Sequence, residues 1–446
     1  MNYTNTISGW GNFPRLNTEY RLASKASEFA DYLHQRKTLI PRGLGRSYAD
    51  QAINPDGITI NCNYLNKYID FDPIGGILDC EAGVSLDDII STFAPLGWFP
   101  FICPGTKFVT IGGAIANDIH GKAHHVDGSF VNCVLSFDCL LADGSVKTCS
   151  RTQHSDLFWA SFGGLGLLGI ILKATIQLRK IDTTFFKQKS IVAKNLDALL
   201  DAIDEADQNY NYSVAWIDSM AKGKHLGTGV LTIGNSAELT DLPQQLSSNP
   251  LIIGKKSKLS LPFYFPEFAL NAFTVKILNQ VIHYTQSHGS ELIHYEKFFF
   301  PLDAIHDWNK GYGKRGFIQY QFVIPLEQGR KNIRTILEKI ANSDCVPFLN
   351  VLKKFGAQQG LLSFPFEGYT FAIDFPITLA LANFTKQLDK MVLDFGGRIY
   401  LGKDAMLDKP MFYAMYPDAE KWKAIKHTYD PDIKFSSSLA KRIGLV

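Results

Sequence analysis

Residues 104–125 constrain what this chain can fold into more than any other stretch. The stretch combines glycines with small and hydroxyl-bearing residues and with imidazoles, at Gly105, Gly112, Gly113, Gly121, His120, His124 and His125. Glycine lets the backbone approach a ligand closely, and consecutive backbone N–H groups in such turns form concave sites for anions such as a diphosphate. The spacing differs from the G-x-G-x-x-G fingerprint of nicotinamide cofactors. The residues alone leave two interpretations open, a diphosphate cradle and an ordinary tight turn in a core.

Two further glycine-rich turns occur in the same half of the chain. A strand predicted over 38–41 runs directly into the turn 42–50, and the turn 163–169 precedes a strand predicted over 170–178. The other elements predicted in this half are helices over 20–36 and 86–93 and strands over 57–61, 77–82, 131–142 and 146–150. Glycine-rich turns repeated in one β-rich half indicate a single extended ligand that passes several loop tips.

The second half of the chain has fewer glycine clusters and more aromatic residues. The elements predicted there are strands over 213–218, 318–324 and 369–375 and helices over 196–205, 329–342 and 379–395. This mixture is typical of an α+β domain with an antiparallel sheet. Since a domain usually takes about 100–200 residues, we divide the chain into the segments 1–183, 184–397 and 398–446.

Composition limits the class of protein. The hydrophobic fraction of 46% and the charged fraction of 20% are those of a soluble globular protein. A formal net charge of only +2 gives no overall attraction to nucleic acid, and we expect no such partner. The seven cysteines include no C-x-x-C pair, which predicts buried free thiols in a reducing compartment.

The sequence predicts neither a secretory signal nor a membrane span. The N-terminal residues lack a basic segment followed by an apolar one, and no apolar run reaches the roughly 18 residues that a span needs. The segment 254–273 combines basic and aromatic residues, at Lys255, Lys256, Lys258, Phe263, Tyr264, Phe265, Phe268 and Phe273. Such a segment is typical of a peripheral membrane anchor and also of an ordinary loop. We expect a cytoplasmic protein, with association at the inner face of the membrane left open.

Four motifs resemble those of a known family. RGLGRSY at 42–48, PGT at 104–106, GGAIANDIHGK at 112–122 and GGLGLLG at 163–169 resemble the flavin-contacting turns of the vanillyl-alcohol-oxidase family. QYQFVIP at 319–325 extends the resemblance into the second half, so that it covers nearly the whole chain. The resemblance implies an α+β fold with a two-subdomain PCMH-type FAD-binding domain at 1–183 and an α+β substrate-binding domain with an antiparallel sheet at 184–397. The segment 398–446 would return to the FAD-binding domain.

The resemblance also implies which residues contact FAD. These are Arg42, Gly43, Leu44, Gly45, Arg46, Ser47, Tyr48, Pro104, Gly105, Thr106, Thr110, Gly112, Gly113, Ala114, Ile119, His120, Gly121, Gly169, Ile170 and Tyr400. Many family members carry a histidine at the position of Arg46 and bind the flavin covalently through it. Arginine cannot form that bond, so we expect non-covalent FAD, with the guanidinium suited to a phosphate.

Oxidation of an alcohol removes a hydride from carbon and a proton from oxygen, and the cofactor carries the hydride. A cation beside the flavin ring lowers the pKa of the substrate hydroxyl. The resemblance implies Lys403 for this role, with Tyr400 beside it, whereas an isolated lysine would be interpreted as a surface group. His120 is a second candidate for accepting the proton.

The resemblance implies a substrate pocket formed by Trp216, Gln319, Gln321, Asn350 and Lys353. Amide side chains bind sugar hydroxyls, and a lysine can bind a phosphate. Gln319 and Gln321 are two positions apart on a predicted strand and therefore share a face. From the residues alone that face is equally typical of a polar stripe turned to solvent.

The nearest branch of the family implies oxidation of a secondary alcohol on a polyprenyl-phosphate-linked pentose. The product would be a keto sugar, and a short-chain-dehydrogenase partner would complete an epimerisation in cell-wall polysaccharide biosynthesis. This chain departs from the branch at Ala372 and Asn117, where cysteines are expected, and at Val214, where a hydroxyl residue is expected. Two alternatives remain, a soluble sugar-alcohol or aldonolactone oxidase and a flavin-fold binding protein without turnover.

Overall fold

The half of the chain with the glycine-rich turns contains two sheets. The computed structural model of the protein describes residues 4–254, 257, 259–285 and 289–446. The first sheet has the order β1-β2-β4-β3, in which β2 and β3 both run parallel to β4. Its strands are β1 (Thr4–Ile7), β2 (Leu16–Leu22), β3 (Leu39–Arg42) and β4 (Ile58–Asn61).

The second sheet is antiparallel and has a long central strand. Its order is β5-β6-β10-β8-β9, and β7 pairs with the far end of β10. Its strands are β5 (Tyr68–Asp72), β6 (Ile77–Glu81), β7 (Trp98–Pro100), β8 (Val134–Leu140), β9 (Val146–Ser150) and β10 (Ile170–Lys180). The turn 163–169 leads directly into β10, so the central strand of this sheet positions that turn.

The third sheet is also antiparallel and belongs to the second half of the chain. Its order is β14-β11-β13-β12-β16-β17-β15-β18. Its strands are β11 (Phe185–Ala193), β12 (Tyr212–Ile217), β13 (Gly229–Ser236), β14 (Gly289–His294), β15 (Phe317–Pro325), β16 (Asn350–Phe355), β17 (Gly368–Pro376) and β18 (Arg398–Ile399). The α+β class with an antiparallel sheet is confirmed.

The helices cover the sheets and the chain termini. They are α1 (Glu28–Leu33), α2 (Leu86–Phe93), α3 (Ile111–Asn117), α4 (His124–Asp127), α5 (Ser155–Ser161), α6 (Leu196–Ala206), α7 (Gln244–Ser247), α8 (Ala272–Thr285), α9 (Tyr295–Phe299), α10 (Gly329–Ala341), α11 (Leu381–Asp394), α12 (Lys409–Met415), α13 (Ala419–Tyr429) and α14 (Ser438–Arg442). The apolar faces of α6, α10 and α11 pack against one face of the third sheet, which leaves the other face for the glycine-rich half.

Most predicted elements are confirmed to within a few residues, and one is wrong in its first part. The helix predicted over 20–36 is reduced to α1, because Glu19–Leu22 continue β2 and pair in parallel with Ile58–Asn61. Strand pairing along β2 outweighs the helical spacing of the apolar side chains. The glycine pair Gly112 and Gly113 lies in the first turn of α3, whose N-cap is Thr110.

The C-terminal segment returns to the first half of the chain. Leu39 of β3 donates its N–H to the carbonyl of Lys434 and accepts from the N–H of Ser436. In α14, the Arg442 guanidinium donates to Asp50 Oδ1 at 2.9 Å and to Asp404 Oδ2 at 2.8 Å. These contacts support the division that we propose, in which 398–446 rejoins the domain formed by 1–183.

All seven cysteines are buried and free, as expected. Among the helices of the described residues, none combines the length and the apolar character that crossing a bilayer requires.

Candidate active site

A cavity of about 650 Å³ lies between the glycine-rich turns and the uncovered face of the third sheet. This volume is typical of a ligand site. Most of the predicted site residues line it, namely Arg42, Gly43, Leu44, Gly45, Arg46, Ser47, Tyr48, Pro104, Gly105, Thr106, Thr110, Gly112, Gly113, Ile119, His120, Gly121, Gly169, Trp216, Gln319, Gln321, Lys353, Tyr400 and Lys403. The fold therefore brings distant parts of the sequence to one site.

Three predicted residues lie outside the described cavity lining. Ala114 is a fully buried core residue of α3, and Ile170 is buried in the core against the first sheet. Asn350 is fully buried on β16, one and three positions from Val351 and Lys353, which do line the cavity. Because side chains alternate along a strand, the side chain of Asn350 belongs to the opposite face. The cavity lining therefore gives these three assignments no support, and they stay predictions.

The side chain of Arg42, the first residue of the turn 42–48, anchors this turn to the rest of the protein. The Arg42 guanidinium donates to the carbonyl of Ser8 at 2.6 Å. Gly45 has φ +68°, and a Cβ there would lie 2.4 Å from Arg42 Nη2, so both conformation and space require glycine. Arg46 extends beyond the turn, with its guanidinium 4.0 Å from the ring centre of Trp10.

Arg46 is suited to an anionic ligand. Its Nε is buried and has no hydrogen-bond partner among the residues that the structure describes. Burial lowers the pKa of Arg46 below its usual value, while the charge of Asp303 partly opposes this effect. An anion placed in the cavity would compensate the buried charge.

The second wall of the cavity is formed by the turn before α3. Thr110 Oγ1 accepts the N–H of Gly113 at 3.2 Å. A Cβ on Gly105 would meet no other atom of the described chain within 4 Å, so this backbone is open to the cavity. An open glycine backbone, a buried arginine whose Nε has no partner among the described residues and a cavity of about 650 Å³ all fit the diphosphate-containing cofactor FAD.

Lys403 contacts a hydrogen-bonded chain that ends at a buried carboxylate. Lys403 Nζ donates to Gln319 Oε1, and Gln319 Nε2 donates to Asp374 Oδ1 at 2.5 Å. Tyr312 donates its hydroxyl to Asp374 Oδ2 at 2.7 Å. Since the carboxylate of Asp374 can only accept here, it fixes the amide of Gln319 with its carbonyl oxygen toward Lys403.

Burial and neighbouring charges control the protonation of Lys403 and Asp374, the two ends of these hydrogen bonds. Burial is the largest cause that lowers the pKa of Lys403 well below its usual value, and the charge of Lys353 lowers it further. The charge of Asp374 acts in the opposite direction. Burial raises the pKa of Asp374, against the hydrogen bonds from Gln319 and Tyr312. Lys403 is therefore able to exist as a neutral amine at moderate pH.

His120 and Gln321 form a second polar pair in the cavity. Thr370 Oγ1 donates to the carbonyl of Phe322 at 2.9 Å, so it must accept from Gln321 Nε2 at 3.1 Å. This fixes the amide of Gln321, whose other N–H points to His120 Nε2 at 3.2 Å. Nε2 consequently accepts, and a neutral His120 carries its proton on Nδ1. Burial lowers the pKa of His120 well below its usual value, which favours that neutral form.

Tyr400 serves mainly to position the backbone. Its hydroxyl donates to the carbonyl of Asn117 at 3.0 Å, and its N–H donates to the carbonyl of Gln321. Its ring stacks on Phe364 with 4.7 Å between ring centres. Tyr400 thereby joins the end of α3 to β15 and holds the turn that carries Lys403.

Some important residues were not predicted. Asp374 and Tyr312 are separated by 62 positions and meet only in the folded protein. Lys122 and Trp10 line the cavity as well. Lys122 belongs to the IHGK motif, and this was the signal that could have identified it; the sequence around Tyr312 and Trp10 carries no comparable signal.

Comparison with known proteins identifies the family. The family described as "FAD binding domain" matches residues 24–150. Decaprenylphosphoryl-β-D-ribose oxidase of Mycolicibacterium smegmatis is 41% identical over 414 residues, which is 92% of this chain and 89% of that protein. The chain belongs to this family of FAD-dependent oxidases. The predictions of FAD as cofactor and of an oxidoreductase are confirmed.

Other relatives of this oxidase share less of its length. The "uncharacterized protein in mprA 5'region" of Streptomyces coelicolor is 30% identical over 81% of this chain and its own whole length. L-gulonolactone oxidase of Mus musculus is 30% identical over 37% of this chain and 38% of that protein. The oxidase therefore shares most of its length with the bacterial proteins and only part of it with the lactone oxidase.

Gly105→Val tests whether the open backbone of the second wall contacts FAD. The added side chain enters empty space in the FAD-free protein, so its unfolding midpoint in urea should not change. If FAD passes this backbone, overpacking should weaken FAD binding about tenfold or more, measured by titrating FAD-free protein and following flavin fluorescence.

The matched control is Gly311→Val, because a Cβ on Gly311 would meet only Leu261, at 3.7 Å, and Gly311 does not belong to the described cavity lining. This variant should bind FAD as the unmodified protein does. Equal FAD affinity of the Gly105→Val protein would contradict the assignment of this wall.

Proposed function

We propose that this oxidase converts a secondary hydroxyl of a polyprenyl-phosphate-linked pentose to the ketone. The observation that carries the proposal is the 41% identity with decaprenylphosphoryl-β-D-ribose oxidase over 92% of the chain. The cavity supports it, because its sheet wall presents amides for sugar hydroxyls and lysines for a phosphate. We assign Trp216, Gln319, Gln321 and Lys353 to the substrate. We also propose that FAD is held without a covalent bond, since Arg46 replaces the flavin-linked histidine.

We assign the proton transfer to Lys403. When bound, FAD supplies the acceptor for the hydride that leaves the substrate carbon. His120 Nε2 already accepts from Gln321 and its other nitrogen carries the proton, so neutral His120 has no free acceptor. Lys403 in its neutral form can take the hydroxyl proton on Nζ, while Gln319 and Asp374 hold that atom in place. Gln321 Oε1, which is buried and unpartnered in the described structure, can accept a hydrogen bond from a substrate hydroxyl.

The substrate class is tested by anaerobic mixing of the holoenzyme with candidate alcohols. A polyprenylphosphoryl-β-D-ribose should bleach the visible flavin band, whereas free ribose and an aldonolactone should not, because they lack the lipid phosphate. A keto sugar should accumulate, since we propose that a separate short-chain dehydrogenase reduces it to the epimer. Equal or faster bleaching by the free sugar or lactone would contradict the proposal and favour the soluble oxidase. A protein that binds FAD and is bleached by none of these would favour a binding function.

The role of Lys403 is tested by the pH dependence of flavin reduction. The reduction rate should rise with pH as Lys403 loses its proton. Asp374 raises the pKa of Lys403, so Asp374→Asn should lower it and shift the rising limb to lower pH. Lys403→Met should bind FAD and slow reduction by about 100-fold or more.

Tyr312→Phe is the control, because it removes a hydrogen bond from Asp374 and leaves the charge in place. Because that hydrogen bond lowers the pKa of Asp374, the rising limb of this variant should move in the same direction but by less than that of the Asp374→Asn enzyme. An unshifted limb in the Asp374→Asn enzyme, or rapid reduction of the Lys403→Met enzyme, would remove Lys403 from the proton transfer.

We further propose that an apolar surface beside the cavity contacts the membrane. Phe273, Ile277 and Tyr284 share one face of α8 and are 72%, 45% and 91% exposed, and Phe268 just before them is 79% exposed. The neighbouring segment lies close to the cavity wall, since Leu261 donates its N–H to the carbonyl of His306, two positions before the cavity-lining Trp308. Lys255, Lys256 and Lys258 of the predicted anchor lie outside the described residues. A lipid-linked substrate would then enter from the bilayer.

Sedimentation with vesicles containing anionic phospholipid tests this surface. Phe268→Ser combined with Phe273→Ser should reduce the bound fraction about tenfold, because two exposed aromatic rings are lost. Activity on detergent-solubilised substrate should be retained. Ile74→Ser is the control, since Ile74 is 91% exposed in the turn between β5 and β6, on another part of the molecule. Equal sedimentation of the double variant, or none of the unmodified protein, would contradict the proposal.

A further inference from the structure

Two other lysines in the cavity do not themselves take the substrate proton, although the charge of Lys353 lowers the pKa of Lys403. Lys122 follows Gly121, and its ammonium group donates to the carbonyl of Phe298 and lies 4.8 Å from the centre of the Phe298 ring. Lys353 lies on β16 with its ammonium group 5.7 Å from the centre of the Phe355 ring. Within the described ranges neither lysine forms a salt bridge, whereas the buried Lys107 and Lys426 both do.

Lys122 and Lys353 line the same cavity, and their positive charges interact there. Burial lowers the pKa of Lys122 to about 7, with the charge of Lys353 as the next cause. Burial lowers the pKa of Lys353 to about 8. Like charges in a shared cavity repel each other, so this arrangement is costly unless an anion is bound between them.

The carboxylates of the cavity wall do not supply that anion. Asp303 accepts the backbone N–H of Lys107 at 2.9 Å, and Glu291 accepts from Gln188 Nε2 at 3.0 Å. Asp374 is engaged by Gln319 and Tyr312. Each carboxylate therefore already has partners away from Lys122 and Lys353.

Trp216 adds a neutral donor to the two lysines. Its Nε1 is buried and has no hydrogen-bond partner in the part of the chain described. Trp216 on β12 pairs directly with Val351 on β16, and Lys353 follows two positions later on the same face. An indole N–H and two ammonium groups provide donors only, which is the composition expected of a site for phosphate oxygens.

The position of Lys122, Lys353 and Trp216 fits a substrate that carries a sugar at one end and a charged phosphate group beside it. β17 lies between β16, which carries Lys353, and β15, which carries Gln319 and Gln321. Two strand spacings correspond to about 10 Å, a distance that one pentose and its phosphate can span. The sugar would then lie against the glutamines and Lys403, with the charged group toward Lys353.

We propose that Lys122, Lys353 and Trp216 Nε1 form a binding site for the phosphodiester that links the pentose to its lipid, separate from Lys403. The identity of the sugar in this inference rests on the proposed function. The binding of an anion is inferred from the three side chains alone. Lys122 was not among the residues assigned to substrate from the sequence.

Lys122→Met and Lys353→Met test the site, because methionine keeps the apolar stem and removes the charge. With the polyprenylphosphoryl pentose, each variant should raise the substrate concentration for half-maximal flavin reduction about tenfold or more, while the limiting rate changes little. With methyl β-D-ribofuranoside, which has no phosphate, neither variant should raise the half-maximal concentration by a comparable factor. Both substrates are compared at a pH above the rising limb of each enzyme, because the charge of Lys353 lowers the pKa of Lys403 and Lys353→Met therefore moves that limb to higher pH. Lys354→Met is the matched control, since Lys354 is the next residue on β16 and its Nζ lies 2.9 Å from Asp204.

A binding measurement separates this inference from the proposed function. Polyprenyl phosphate without a sugar should perturb the flavin absorption spectrum, and both Met variants should weaken its binding about tenfold. If the pentose is not oxidised but this lysine-dependent binding persists, the proposed function fails and the anion site stands. If inorganic phosphate binds as tightly as polyprenyl phosphate, the site takes free phosphate and the lipid-linked assignment is overturned. Unchanged binding and half-saturation in both variants would overturn the site itself.

Discussion

The guanidinium of Arg442 joins the two sides of the cavity. Asp50 follows the glycine-rich turn that we assign to FAD, and Asp404 follows Lys403, so one side chain from the C-terminal helix fixes both. Both carboxylates are nearly fully buried. Loss of the guanidinium would leave two buried charges unpaired, a change that typically costs about 3–5 kcal/mol. Gln51 reinforces the same junction by donating to the carbonyls of Leu401 and Asp404.

This junction explains how one site combines residues from three parts of the chain. The glycine-rich half supplies open backbone and the buried Arg46, and the third sheet supplies a polar face. The C-terminal turn supplies Lys403 between them. The hydrogen bonds from Lys403 through Gln319 to Asp374 then determine where the ammonium group lies. Burial, and after it the charges of Lys353 and Asp374, determine how easily that group loses its proton. Positive charge is distributed along the cavity, with Arg46, Lys403 and the pair Lys122 and Lys353 in separate places, as a substrate and a cofactor that are both anionic would require.

The sequence predicted much of this arrangement, for identifiable reasons. Helix α2 and strand β9 have strong local patterns and occur where predicted, and the glycine-rich motifs carried the cofactor assignment. The features that the sequence did not predict depend on contacts between distant residues, which no local sequence pattern encodes. Pairing of β2 with β4 overrode a helical spacing, and the twofold alternation along β16 placed Asn350 on the opposite face from Lys353. The contact of Tyr312 with Asp374 depends on the antiparallel pairing of β15 with β17 and on the loop before β15, so only the folded chain reveals it.

The measurement that decides most directly whether this cavity holds dissociable FAD is the flavin content of the purified protein after denaturation. The protein is unfolded in guanidinium chloride and filtered, and flavin is quantified in the filtrate and on the retained chain. We predict FAD equimolar with the chain in the filtrate and no flavin on the chain, because Arg46 cannot form a covalent link. Flavin that stays with the unfolded chain would contradict the role of Arg46, and a colourless protein that fails to bind added FAD would contradict the site as a whole.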